Sequence, residues 1–130
     1  MEKEKSDIHI LVVDDEDNIR DIVSRTLSQE GYSVSEAANG DEALRKIGQY
    51  GFDIIFLDIK MPGIDGLEVL SKVKADNSDT KVILLTGAAD SRVLEAQSME
   101  NGAFASILKP CSLSQLIETT EKALGSSNKT

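Results

Sequence analysis

Cysteine is almost missing from this chain of 130 residues: Cys111 is the only one. No internal disulfide can form, and a reducing cytosol is the default compartment. Basic residues are also scarce, with 14 Lys and Arg against 23 Asp and Glu and a formal net charge of −9. A nucleic-acid-binding face needs clustered Lys and Arg, so that class of partner is disfavoured. No apolar run approaches the roughly 20 residues of a membrane span. The opening MEKEKSD is charged where a signal peptide would be apolar. Linkers, low-complexity tracts and repeats of solenoid period are absent too. The expectation is one soluble, cytoplasmic module over residues 1–130, with a folded core at about 8–124 and loose ends at 1–7 and 125–130.

What is present is 40% hydrophobic residues, arranged in short runs. HILVV (9–13), YSVSEA (32–37), DIIFL (53–57), KVILL (81–85) and FASIL (104–108) read as five strands. The first, third and fourth are continuously apolar, as parallel strands covered on both faces are; the second alternates and belongs nearer an edge. Between the strands lie helical faces: Ile19, Ile22, Val23 and Leu27; Leu67, Leu70 and Val73; Leu113, Leu116, Ile117, Thr120 and Leu124. Asn39, Asp65 and Ser112 each precede a Glu or Gln by three, the spacing of a capping box. Strands alternating with helices imply βαβ crossovers. The expected fold is α/β, a doubly wound five-stranded parallel sheet of flavodoxin-like order 2-1-3-4-5 with five helices.

In open α/β sheets the site lies beyond the carboxyl ends of the strands. Those ends carry Asp14 and Asp15, Asp58, Thr86 and Lys109. Each alone has a bland reading: Asp58 as a turn cap, Asp14 and Asp15 as caps of the first helix, Thr86-Gly87 as turn chemistry, Lys109-Pro110 as a strand terminator with a rigid or cis turn. Together they form a constellation. Three gathered carboxylates repel unless a cation intervenes, and hard oxygen ligands suit Mg²⁺. A phosphoryl group is then received by the metal, the Lys109 ammonium and the Thr86 hydroxyl. Asp58, alone on its strand end, is the best-placed nucleophile. His9, Cys111, Gly63 and Gly66 are read as structural: a strand start, a buried small hydrophobe and two turn residues.

The stretches "LVVDDED", "IIFLDIKMPGIDG", "VILLTGA" and "ILKP" stand in this order at those strand ends. The chain thereby resembles the receiver domain of two-component response regulators, the CheY-like family, over roughly residues 8–124. The resemblance implies Asp58 as phosphoacceptor, Asp14 and Asp15 as the acidic pair, and Thr86 and Lys109 as the hydroxyl and lysine of the site. It also implies Mg²⁺ held by Asp15, Asp58 and the Lys60 backbone carbonyl. The phosphodonor it implies is a phosphohistidine on a sensor histidine kinase or a histidine phosphotransfer protein, with a downstream protein target. Two departures stand out: the stretch from Thr86 to Lys109 is slightly longer than the family's, which suggests an altered fourth helix, and the switch aromatic is missing. The family's aromatic residue three positions before the lysine is Ser106 here, and strand alternation puts Phe104 on the same face. A rival reading takes Asp15-Glu16-Asp17 as the D-x-D nucleophile motif of a haloacid dehalogenase-type phosphatase. It leaves Asp58 unexplained.

Overall fold

A computed structural model describes residues 4–60, 66–76, 79–87 and 92–125. Strands β1 (His9–Val13), β2 (Ser33–Ala37), β3 (Ile54–Asp58), β4 (Lys81–Thr86) and β5 (Ala105–Leu108) form one sheet in the order β2-β1-β3-β4-β5, every neighbouring pair parallel. Helices α1 (Asp17–Gln29), α2 (Gly40–Gln49), α3 (Gly66–Asp76), α4 (Arg92–Glu100) and α5 (Leu113–Gly125) connect or follow them. The expected topology is what the chain adopts.

Alternation along the strands sorts the core into two layers. Leu11, Val13, Ile55, Leu57, Val82 and Leu84 pack against α2, α3 and α4. Ile10, Val12, Ile54, Phe56, Ile83 and Leu85 pack on the other face against α1 and α5. Strands β1, β3 and β4 are continuously apolar between their end residues because both of their faces are covered. Edge strand β2 is half open, as its alternating sequence requires. Gly31 and Gly102, at φ +105° and +106°, turn the chain out of α1 and α4.

Two of the three caps can be located. Asn39 Oδ1 accepts from the Glu42 N–H at 2.8 Å, and Glu42 accepts from Ala38 N–H at 2.9 Å. Ser112 Oγ accepts from Gln115 N–H at 3.1 Å. Asp65 and Gly63 lie outside the described residues. Some expectations need correction. Ile22 and Leu113 are 46% and 54% exposed, because each sits at the flank of its helix rather than on the buried stripe. Residues Lys5–Asp7 are not loose but form a 3-10 turn. The Ser33 hydroxyl donates to the Ser6 carbonyl at 2.7 Å, and Lys5 lies over the Tyr32 ring. Gly125, expected in the loose end, closes the last turn of α5.

The face of Phe104 also differs from the expectation. Phe104 immediately precedes β5, its N–H donating to the Val82 carbonyl of β4 at 2.7 Å, and its ring packs against the α1–α5 layer. Ser106 points the other way and donates its hydroxyl hydrogen bond to Glu95 of α4. The two residues do not share a face. Cys111 is half-buried against the same layer as Phe104, and burial pushes its thiol pKa up.

Candidate functional site

The carboxyl ends of β1, β3, β4 and β5 meet at an open pocket of about 600 Å³ lined by Asp15, Glu16, Ile19, Asp58, Lys60, Gly87, Lys109 and Pro110. Asp58 is the last residue of β3 and Thr86 the last of β4, so the sheet ladders themselves fix both. Asp14 follows β1, where its N–H donates to the Ala37 carbonyl at 3.2 Å, and Lys109 follows β5, bonded through its N–H to the Thr86 carbonyl. The Lys109-Pro110 peptide is cis. Asp14, Asp15 and Asp58 each offer a carboxylate oxygen within 4.8 Å of the others. The strand ends thus bring Asp14, Asp15, Asp58, Thr86 and Lys109 to one edge, with Lys60 at the rim.

Electrostatics at this edge are dominated by crowded acids. Asp58 is nearly buried, and burial pushes its carboxyl up to about 7. The Lys60 N–H donating to Oδ1 at 3.1 Å opposes that rise, and the Asp14 charge adds to it. Asp14 is fully buried and also raised, first by burial, against the Glu16 N–H at 2.8 Å and the Lys109 ammonium. Lys109 Nζ stands 2.9 Å from Glu16, 3.2 Å from Asp14 and 3.4 Å from Asp58. Its burial alone would lower its pKa, but these three carboxylates together raise it. The Thr86 hydroxyl donates weakly, at 3.4 Å, to the Ile107 carbonyl on β5.

Three aspartates against one ammonium leave an excess of two negative charges, and all available donors to a cation are hard oxygens. This donor set fits Mg²⁺, which one or two carboxylates bind while waters complete an octahedron. Asp17 does not belong to it. It is the first residue of α1, 87% exposed and paired with Arg20 at 2.6 Å, so the D-x-D reading lacks its second acid. Nor do Asp14 and Asp15 occupy the N-cap position of α1: that residue is Glu16, whose own side chain makes no capping bond, and Asp14 Oδ1 accepts instead from the Glu16 N–H.

Comparison with known proteins decides what this edge belongs to: the family profile described as "Response regulator receiver domain" matches residues 10–121. The chain belongs to that family. Receiver domains are signalling domains that take phosphate from histidine kinases and bind Mg²⁺ at an acidic pocket. Among solved structures, a CheY-like receiver domain protein from Methanospirillum hungatei superposes with a TM-score of 0.88 at 36% identity, covering 94% of this chain and 97% of that one. Sporulation initiation phosphotransferase F of Bacillus subtilis is 33% identical over 88% of this receiver domain and 92% of its own length. The transcriptional regulatory protein YkoG of the same organism is 38% identical over 89% of this chain, which spans only 50% of it.

Three residues at the site escaped the sequence reading. Glu16 reaches Lys109 from 93 positions away, a contact no local pattern announces. Arg20 Nη1 donates to the Asp14 carbonyl at 2.8 Å while its other nitrogens hold Asp17 and Glu36. Gly66, read as a turn residue, opens α3 and presses against the end of β3.

Proposed function

We propose that this receiver domain is a stand-alone response regulator, one module over the whole chain, phosphorylated on Asp58. The observation that carries the reading is the Asp58 carboxylate, fixed at the end of β3 between the Lys60 N–H and the Lys109 ammonium and facing the acidic pocket. The donor is a phosphohistidine on a sensor histidine kinase or a histidine phosphotransfer protein. An Asp58 oxygen forms the new O–P bond as the P–N bond breaks, and the electron pair leaves with the imidazole nitrogen. Asp14, Asp15, Asp58 and the Lys60 backbone carbonyl would hold Mg²⁺, directly or through water. When bound, it supplies the positive charge that offsets the acids and the transferring phosphoryl oxygens. Lys109 and the Thr86 hydroxyl take the remaining phosphoryl oxygens. As Thr86 turns to do so it releases the Ile107 carbonyl, and that links the site to β5 and to partner binding.

The module signals rather than turning over a metabolite: it labels itself from phosphodonors and loses the group slowly by hydrolysis. The cytoplasm is the compartment proposed, since kinase and target would both meet it there. A stand-alone module has precedent among the relatives: the match covers 92% of the phosphotransferase and 97% of the Methanospirillum protein. The relatives named as transcriptional regulators are longer, and the −9 charge of this chain favours a protein partner over nucleic acid for this module. The test is labelling with a small phosphodonor and Mg²⁺. One base-labile phosphoryl group should appear, Asp58→Asn should abolish it, and Asp15→Ala should slow it with weakened Mg²⁺ binding. Equal labelling of Asp58→Asn would remove Asp58 as the acceptor.

A further inference from the structure

An ammonium group has three hydrogens to donate. Those of Lys109 face three carboxylates: Glu16 at 2.9 Å, Asp14 at 3.2 Å and Asp58 at 3.4 Å. A phosphoryl oxygen can therefore reach Lys109 only after one acceptor lets go. Asp14 and Asp58 cannot leave cheaply, since both are buried and each is held by a backbone N–H, from Glu16 and Lys60 respectively. Glu16 is different: its side chain is 61% exposed, against 12% for Lys109, and it lines the pocket mouth. Swinging it outward costs one hydrogen bond in partial contact with water and opens nothing in the core.

We infer that Glu16 is a specificity-determining residue of the phosphotransfer: its carboxylate covers the Lys109 ammonium and must be displaced before a phosphoryl group binds. This deepens the phosphoacceptor reading of Asp58 and rests on it. While seated, Glu16 does two things. It occupies the hydrogen that the incoming oxygen needs, and it adds one more negative charge at an entrance where the Lys109 ammonium already faces Asp14 and Asp58. The second effect scales with the charge of the donor. At about 6 Å in water, one unit charge changes the local concentration of a like charge by roughly three-fold, and that of a dianion by roughly ten-fold. Small free dianionic donors are thus held off. A donor delivered on a docked protein, whose own surface can take up the displaced carboxylate, is not held off in this way.

The experiment compares the full chain with Glu16→Gln and Glu16→Ala, each at saturating Mg²⁺. Rate constants for Asp58 labelling are measured with acetyl phosphate, a dianion near pH 7.5, and with phosphoramidate, which carries one negative charge fewer. Both variants should react faster with both donors, and the ratio of acetyl phosphate to phosphoramidate rates should rise about three-fold. Raised ionic strength should shrink that rise. Glu16→Asp, which keeps the charge, should keep the wild-type ratio. A general change in folding or Mg²⁺ affinity moves both donors together and leaves the ratio alone. An unchanged ratio in Glu16→Gln and Glu16→Ala, with normal wild-type labelling, overturns this inference only. No labelling of the wild type overturns the reading of Asp58 and this inference with it.

Discussion

A Cβ placed on Gly66 would lie 2.5 Å from the Cα of Ile59 and 2.7 Å from the carbonyl oxygen of Asp58. Both neighbours are backbone, so neither can rotate away, and α3 or the end of β3 must shift. Gly66→Ala should therefore cost roughly 1–3 kcal/mol by overpacking. Because the shift falls on Asp58 itself, labelling should slow as well. Gly48, inside α2 with nothing within 4 Å of its Cβ position, is the control. Gly48→Ala should stabilise by about 0.5–1 kcal/mol and leave labelling alone. Urea midpoints and labelling rates check both, and a Gly66→Ala variant as stable as wild type would mean that the close approach relaxes freely. At this scale the sequence was legible only in part. Asp58 announces itself by ending an apolar run, but a glycine needed for close approach and one needed for a turn look alike without their neighbours. Glu16 and Arg20 were hidden for a related reason: their partners are set by tertiary placement, not by spacing.

Elements were read more fully, because their signals are local. The Asn39–Glu42 box shows why: both halves of it lie within four residues of the start of α2, and both bonds form. Asn39→Ala should cost about 1 kcal/mol. Glu42 adds a pH dependence of known sign. The Ala38 N–H holds its carboxyl below the usual value of 4.5, with Lys46 and Arg45 helping. A group whose pKa is lowered on folding stabilises above its unfolded pKa, and loses that contribution as pH falls through the folded value. The stability gap between wild type and Glu42→Ala should thus be full at pH 7, at less than about 1 kcal/mol for so exposed a group. Denaturant melts at stepped pH should show it narrowing only below about 4.5. A gap that widens on acidification would contradict the assignment. Element ends were less legible than element cores. Phe104 reads as part of the fifth strand by composition, yet β5 begins at Ala105; the Phe104 N–H still bonds to the Val82 carbonyl at 2.7 Å while its ring packs against the α1–α5 layer, a placement that composition does not announce.

Across the whole molecule, topology was the most legible feature, since continuous apolar runs and two helix layers leave few other ways to bury both sheet faces. The convergence of Asp14, Asp15, Asp58, Thr86 and Lys109 follows from that topology. The cost of gathering them is not visible in any one residue. Three aspartates share an edge with one ammonium, which Glu16 also claims, so the folded chain without a divalent cation carries like-charge repulsion that the unfolded chain relieves. Asp58→Asn removes one of those charges and keeps the shape. In the presence of a chelator it should melt above wild type, by about 3–5 °C for each kcal/mol of repulsion relieved. Mg²⁺ should act in the opposite order. A ligand at 100 times its Kd that binds only the folded state adds about 2.7 kcal/mol, so wild type should gain strongly and Asp58→Asn much less. Melts of both proteins with chelator and with Mg²⁺ make the four-way comparison. If Asp58→Asn melts below wild type without metal, hydrogen bonding to the carboxylate outweighs the repulsion at this edge. If Mg²⁺ raises both melts equally, Asp58 is not among its ligands.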